Sequence, residues 1–462
     1  MKRLCQFLLI LTLGLILCGP ALAGSNTAKV DQYGDLNDGF VQQLQPNDNQ
    51  ATIYQSGTSN VSSIYQEGTN NTSLAETEQY GSSNTALTVQ GGAVGDNNNS
   101  QLYLYQDGVA NDAVVWQVGS GSTHYADVNQ LGEGNKVEVY QDQLNNINTA
   151  LMSQDGIGNQ AKVVQYGENT TSKASVDQAG AFNLAEVYQD KTGNTNTATI
   201  AQGGNLNEAK VVQYGLNATN EATVSQASVG TGNKAEVYQG FEYQEGNDNW
   251  AMVVQAGSDN FAKVVQYGTF TENTGTVIQV GSDNWAEVYQ DQADNVNTAT
   301  IIQGGMGNEA KVVQYGNNTT NLANVTQAGT DNWVEVYQDQ TNNDNQTTIN
   351  QGGGDHFAKV IQYGDGEINL AEIDQSGLNN FADLYQDGTS GFNTADVDQT
   401  GTGVINTVNL RQYAYDTGTN LANVLQDGGG NTALVAQTTY GAANTANVNQ
   451  VGDNNTTNVV QN

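Results

Sequence analysis

The chain is poor in cysteine, proline and positive charge, and each shortage narrows what it can be. Of its 462 residues two are Cys and two are Pro. Both cysteines, Cys5 and Cys18, lie near the start, so the remainder has neither a disulfide framework nor a thiol nucleophile. Lys and Arg number 13 against 48 Asp and Glu, while charged residues make up only 13% of the chain. The formal charge of −35 therefore reflects missing bases rather than surplus acids. Such a balance excludes nucleic acid as a natural partner and disfavours anionic membranes. Beyond the first two dozen residues no run approaches the ~18 apolar residues of a membrane span, so membrane insertion is not expected. There are two histidines, His124 and His356. No Ser/His/Asp or paired-carboxylate constellation stands out from the surrounding pattern, so the chain reads as a non-enzyme with no cofactor.

The first 23 residues read as an export signal. Lys2 and Arg3 form a positive start, Phe7 to Leu17 an apolar stretch, and Ala21-Leu22-Ala23 a small-residue cleavage site. A lipidated Cys18 is disfavoured by the bulk of Leu17 before it. The predicted organisation is a signal peptide, 1–23, followed by one repeat unit array, 24–462.

That array repeats Asn-x-Ala-x-Val-x-Gln, usually followed by x-Gly, from Asn26 to Gln461. The closing residues Gln130, Gln141, Gln154, Gln165, Gln178 and Gln189 are separated by alternating steps of 11 and 13. Two units thus form a rung of about 24 residues, and about 18 rungs are expected. Longer arcs are expected near Gly92–Asn99 and Gly240–Asp248, bulging without disturbing the strands. Within each unit, Asn, Ala, Val and Gln fall on one face and the variable positions on the other, the period-two signature of a strand. Links rich in Gly, Asn, Asp and Ser suit tight arcs. The predicted fold is all-β: a cross-β-like β-solenoid of stacked strand–arc–strand rungs.

In a parallel stack each side chain lies over its counterpart one rung away. Ala and Val then fill a dry seam, and amides inside it donate to and accept from the next identical amide. The candidate amide ladder comprises Asn159, Gln165, Asn183, Gln189, Asn207, Gln213, Asn284, Gln290, Asn308, Gln314, Asn332 and Gln338. His124 and His356 occupy Asn slots and read as substitutions within it. Outward in the second strand, charge alternates from rung to rung through Glu138, Lys162, Glu186, Lys210, Glu236, Lys263, Glu287, Lys311, Glu335, Lys359 and Asp383. The next outward position alternates between Tyr and Val or Ile, from Tyr140 and Val164 to Ile361 and Tyr385. This two-rung superperiod is expected to set register through opposite charges, although duplication of a 48-residue block accounts for the repetition too. An outward aromatic stripe, Phe261, Trp285, Trp333, Phe357 and Phe381, suits lateral packing of fibres, a binding platform, or simply strand propensity.

These repeats resemble the curlin repeat family, subunits of bacterial curli fibres, over nearly all of the expected mature chain. The resemblance implies a functional amyloid on the surface of a Gram-negative cell, with self-association into secreted extracellular fibres for adhesion and biofilm matrix. It also implies a nucleator subunit and secretion or chaperone factors as partners. The family's stacking amides carry over to Asn159, Gln165, Asn207, Gln213, Asn308 and Gln314. Two departures stand out: there are far more repeats than in the familiar subunits, and they start at Asn26, so a separate export segment is expected to be missing or very short. Repeats running to both ends without an apparent cap predict head-to-tail growth. The alternative is a soluble ligand-binding solenoid. A calcium roll would use Gly304-Gly305-Met306-Gly307-Asn308 or Gly352-Gly353-Gly354-Asp355, but both lack its nine-residue period. An ice-binding face would use outward Thr pairs such as Thr197 with Thr199, but Lys173, Glu221 and Leu322 interrupt that column.

Overall fold

The computed structural model describes residues 25–462 except 45–47, 69–71, 92–98, 191, 228–229, 241–245, 292, 343 and 367. The expected signal peptide and most of both long arcs lie outside the described residues. Each seven-residue unit forms a strand because alternate residues are apolar or amide and the rest are polar or β-branched. Gln160–Gln165 shows the resulting burial, with Ala161 and Val163 at 4% and 0% exposure.

Strands pair only with the equivalent strand one coil away, always in parallel. Ile147–Ile157 lies on Thr171–Ala181 with Ala150 opposite Ala174 and Gln154 opposite Gln178. Gln160–Gln165 lies on Leu184–Gln189 with Lys162 opposite Glu186. Two sheets result, one from the first strand of every coil and one from the second, with the seam between them. Ile368–Thr389 and Phe392–Tyr415 each run through a whole coil, whereas the other 32 strands pair off two to a coil, so the described stack has 18 coils. Register survives both long arcs, since Gln79 still meets Gln106 and Gln226 still meets Gln255.

The arcs explain why Gly follows Gln at a spacing of two. Gly156 has φ 124°, and a Cβ there would lie 1.9 Å from the carbonyl oxygen of Gly180 in the next coil. Any side chain would push the coils apart at that point. Gly180 meets Gly204 in the same way, so the glycines form a column of their own.

The seam is not uniform. One buried apolar cluster contains Ala51, Ile53, Ile64 and Ala75, and a second starts at Ala86 and Leu102 and continues to Val448. Between them Thr77 and Thr88 occupy the Val slots of the third coil, fully buried, with hydroxyls that have no hydrogen-bond partner among the described residues. An unpaired buried hydroxyl costs about 1–3 kcal/mol, and nearly isosteric Val removes it. The double variant Thr77→Val, Thr88→Val is expected to stabilise the chain by roughly 1–3 kcal/mol for each hydroxyl removed. Slower amide hydrogen exchange across residues 27–91 checks this, and unchanged exchange there would refute it.

Candidate functional site

The inward amides form the most continuous feature of the molecule. In the first sheet, every Gln from Gln32 to Gln426 donates through Nε2 to Oε1 of the Gln one coil further on, ending at Gln450. The second sheet does the same from Gln43 to Gln461, with distances of 2.7–3.0 Å in both. The second Nε2 proton crosses the seam. Gln165 gives it to the carbonyl of Thr149 on the first strand of its own coil at 3.1 Å. One side chain thus ties neighbouring coils together and the two sheets to each other.

Asn does a different task at the other end of the strand. Oδ1 of Asn159 accepts the backbone N–H of Asn183 at 3.0 Å, while its Nδ2 donates to the arc carbonyl of Gly180 at 3.1 Å. From Asn183 to Asn332 Nδ2 also reaches back to Oδ1 of the previous Asn, as in Asn207 to Asn183 and Asn332 to Asn308. The first sheet has the same backward ladder from Asn220 to Asn444. The Gln-to-Gln bonds therefore run toward the C-terminal end and the Asn-to-Asn bonds toward the N-terminal end, while the second-sheet Asn amides also donate forward to the arc carbonyls. All twelve predicted amides, including Asn284, Gln290, Asn308 and Gln338, are buried in these columns.

Both histidines take Asn slots. His124 accepts from Asn148 Nδ2 through Nδ1 at 3.4 Å and donates through Nε2 to the Val118 carbonyl at 3.2 Å. His356 accepts the Asn380 N–H through Nδ1 at 3.2 Å. Burial pushes the His124 imidazole down to about 4 and lowers that of His356 too, against weaker opposing pulls from backbone carbonyls.

The charged column is in register from Glu138 opposite Lys162 to Lys359 opposite Asp383. Contacts within it differ from the simple alternation expected. Lys359 reaches Glu335 at 2.8 Å, but Asp383 is held by Arg411 at 2.6 Å. Lys162 lies over Tyr140 and Tyr188 at 6.0 and 5.7 Å, Lys210 is flanked likewise by Tyr188 and Tyr238, and Lys263 lies over Tyr238. The flexible ammonium finds a ring face beside it as readily as a carboxylate above it.

The adjacent column corrects a second expectation. Val164, Val212, Val265 and Val313 point outward yet are only 5–7% exposed. Lys coils read Lys-Val-Val-Gln-Tyr, as at Lys311–Tyr315, and Glu coils read Glu-Val-Tyr-Gln-Asp, as at Glu335–Asp339. The Tyr therefore shifts by two residues in each successive coil, and rings pack diagonally over the Val between them. From Tyr267 to Tyr413 successive ring centroids are 5.4–6.0 Å apart without a break. Tyr289, Tyr337 and Tyr385 each donate to the Asp two residues on, at 3.5, 3.3 and 3.1 Å. Burial, then the Asp291 carboxylate, push the Tyr289 phenol up to about 12. The post-Gln tyrosines escaped the sequence reading, although the alternation of Gln-Tyr-Gly with Gln-Asp signals them. At the other end Tyr33, Tyr54, Tyr80 and Tyr105 form a similar zigzag on the first sheet.

The predicted aromatic stripe is one column in the same strand, but Glu309 divides it. Phe261 stacks on Trp285, while Trp333, Phe357 and Phe381 stack at 4.4 and 4.6 Å with planes within 10°. Rings stacked along the axis spend their faces on each other and present edges outward, which fits a binding platform poorly and side-by-side packing better. The Thr column runs Lys173, Thr197, Glu221, Trp250, Thr274, Thr298, Leu322. Among the described residues, no group of three or more His, Cys, Asp or Glu side chains is arranged to hold a metal ion.

A neutral buried His loses stability as pH falls, because the unfolded chain takes up a proton below about 6.5 and the folded chain does not until far lower. For His124 this loss accrues between about 6.5 and about 4, at up to about 1.4 kcal/mol per pH unit. His124→Asn restores the repeat's own residue and is expected to raise stability at pH 5 more than at pH 7, as read from urea midpoints. Equal gains at both pH values would dismiss the titration. Gln213→Leu leaves Gln189 Nε2 and Gln239 Oε1 without their partners. It should cost roughly 2–5 kcal/mol by the same measurement.

The curlin associated repeat matches the chain at residues 47–76, 170–204, 243–268 and 420–452. No curated protein matches it.

Proposed function

We propose, from the four segments that match the curlin associated repeat, that the chain is a structural subunit of an extracellular curli-like amyloid fibre. It is exported by its leader, assembles head to tail outside a Gram-negative cell, and serves adhesion and biofilm matrix. A nucleator subunit and secretion factors are its expected partners.

The observation that carries this reading is that the first and last described coils keep the design of the interior ones. Thr27–Asp35 and Thr456–Gln461 pair with their neighbours in the same parallel register as every other coil. Val30, in a slot buried elsewhere, is 40% exposed in the first coil. A second copy set on that coil continues both Gln columns, with Gln450 and Gln461 donating to Gln32 and Gln43. The opposed direction of the Asn columns makes the same docking satisfy both amide types, and an inverted docking would set like groups together.

Purified mature chain, diluted from denaturant into calcium-free buffer, is expected to sediment as long filaments with reflections near ~4.8 and ~10 Å. A clear solution of folded monomer would refute the fibre reading. Replacing Lys by Glu at positions 162, 210, 263, 311 and 359 would turn an alternating column into one of a single sign. The lag before assembly should lengthen several-fold, most at low salt. Unchanged kinetics would show that the charges do not guide docking.

A further inference from the structure

The tyrosine column has chemistry that fibre formation does not use. Between Tyr267 and Tyr413 every ring contacts a ring one coil away, and all are half-buried, within reach of small diffusing oxidants. Every second phenol already donates its proton to a carboxylate, Tyr289 to Asp291, Tyr337 to Asp339 and Tyr385 to Asp387. Beyond Cys18 the chain has no thiol to intercept an oxidant. The stack also holds each ring against fixed partners 22 to 28 residues away in sequence, as Tyr289 is held against Tyr267 and Tyr315.

We propose that this column is a site of oxidative tyrosine–tyrosine coupling that joins successive coils covalently, driven by hydrogen peroxide through a haem-peroxidase-type one-electron oxidant. Each phenol loses one electron to the oxidant and one proton, which Asp291, Asp339 or Asp387 accepts at the hydrogen-bonded positions. Two neighbouring phenoxyl radicals form a carbon–carbon bond between their ortho positions. The two ortho hydrogens then shift to oxygen and restore both phenols. Two electrons and two protons leave per bond, and together with them one peroxide becomes two waters. The closed-shell product spans two coils, so it resists the local opening that precedes unfolding or proteolysis.

The test treats the folded full-length chain with peroxidase and peroxide, follows dityrosine fluorescence, and maps cross-linked peptides by mass spectrometry. Tyr289–Tyr315, Tyr315–Tyr337 and Tyr337–Tyr363 are expected among the dominant pairs, and the chain in denaturant should lose that preference. Tyr315→Phe keeps the ring packing and should abolish the first two pairs while sparing the third. Asp339→Asn keeps a hydrogen-bond acceptor but removes the base, and should slow coupling at Tyr337 several-fold. A pair distribution like that of the denatured chain, or an Asp339→Asn rate equal to that of the native chain, would overturn the proposal. Neither result depends on whether filaments form.

Discussion

Parallel, in-register stacking places every side chain over its counterpart, so that any residue type in the inward face must be compatible with a copy of itself about 4.8 Å away. Charges fail this condition, and a hydroxyl set between apolar neighbours goes unpaired, as Thr77 does between Ile53 and Leu104 and Thr88 between Ile64 and Val115. Ala and Val meet it by packing, Gln and Asn by having a donor and an acceptor on one planar group. Gln also has a second amide proton, and in this fold that proton crosses to a backbone carbonyl of the facing sheet, as from Gln165 to Thr149. The thin seam and the two continuous Gln columns are consequences of the same constraint. A wider seam would put the facing carbonyl beyond the reach of the amide.

The glycine column follows from the arc. With Gly156 and Gly180 in the left-handed region and their backbones in contact, the arc carbonyls would be crowded and unpaired without a donor. Asn159 supplies it, which accounts for the Asn found three residues after most such Gly, with His356 in its place after Gly353. The repeat Asn…Gln-x-Gly is thus a set of mutually dependent parts: Gly permits the arc, Asn satisfies it, and Gln holds coil to coil and sheet to sheet.

On the outer face the two-coil superperiod acquires a steric meaning in addition to an electrostatic one. Shifting Tyr by two residues in alternate coils lets each ring lie diagonally between others and cover a Val, so the outer surface is partly dry. The lysines then have ring faces beside them, and the charge alternation becomes one contributor to register among several. Duplication of a block accounts for the copying, while the packing gives a reason for its two halves to remain different.

The period-two pattern and the spacing of Gln were enough to determine a solenoid of about 24-residue coils, the inward rows and the register that sets Lys162 against Glu186. These properties are local in sequence or follow from strict repetition, so they survive without coordinates. What only the tertiary structure decided depends on groups a coil apart. Val164 is buried although it points outward, because Tyr140 and Tyr188 flank it from adjacent coils. Lys162 turns to those rings, Asp383 is held by Arg411 rather than Lys359, and Glu309 parts the aromatic stripe. The opposed directions of the Gln and Asn ladders were equally illegible. An amide carries donor and acceptor alike, and only the backbone groups around it in three dimensions decide which way each one points.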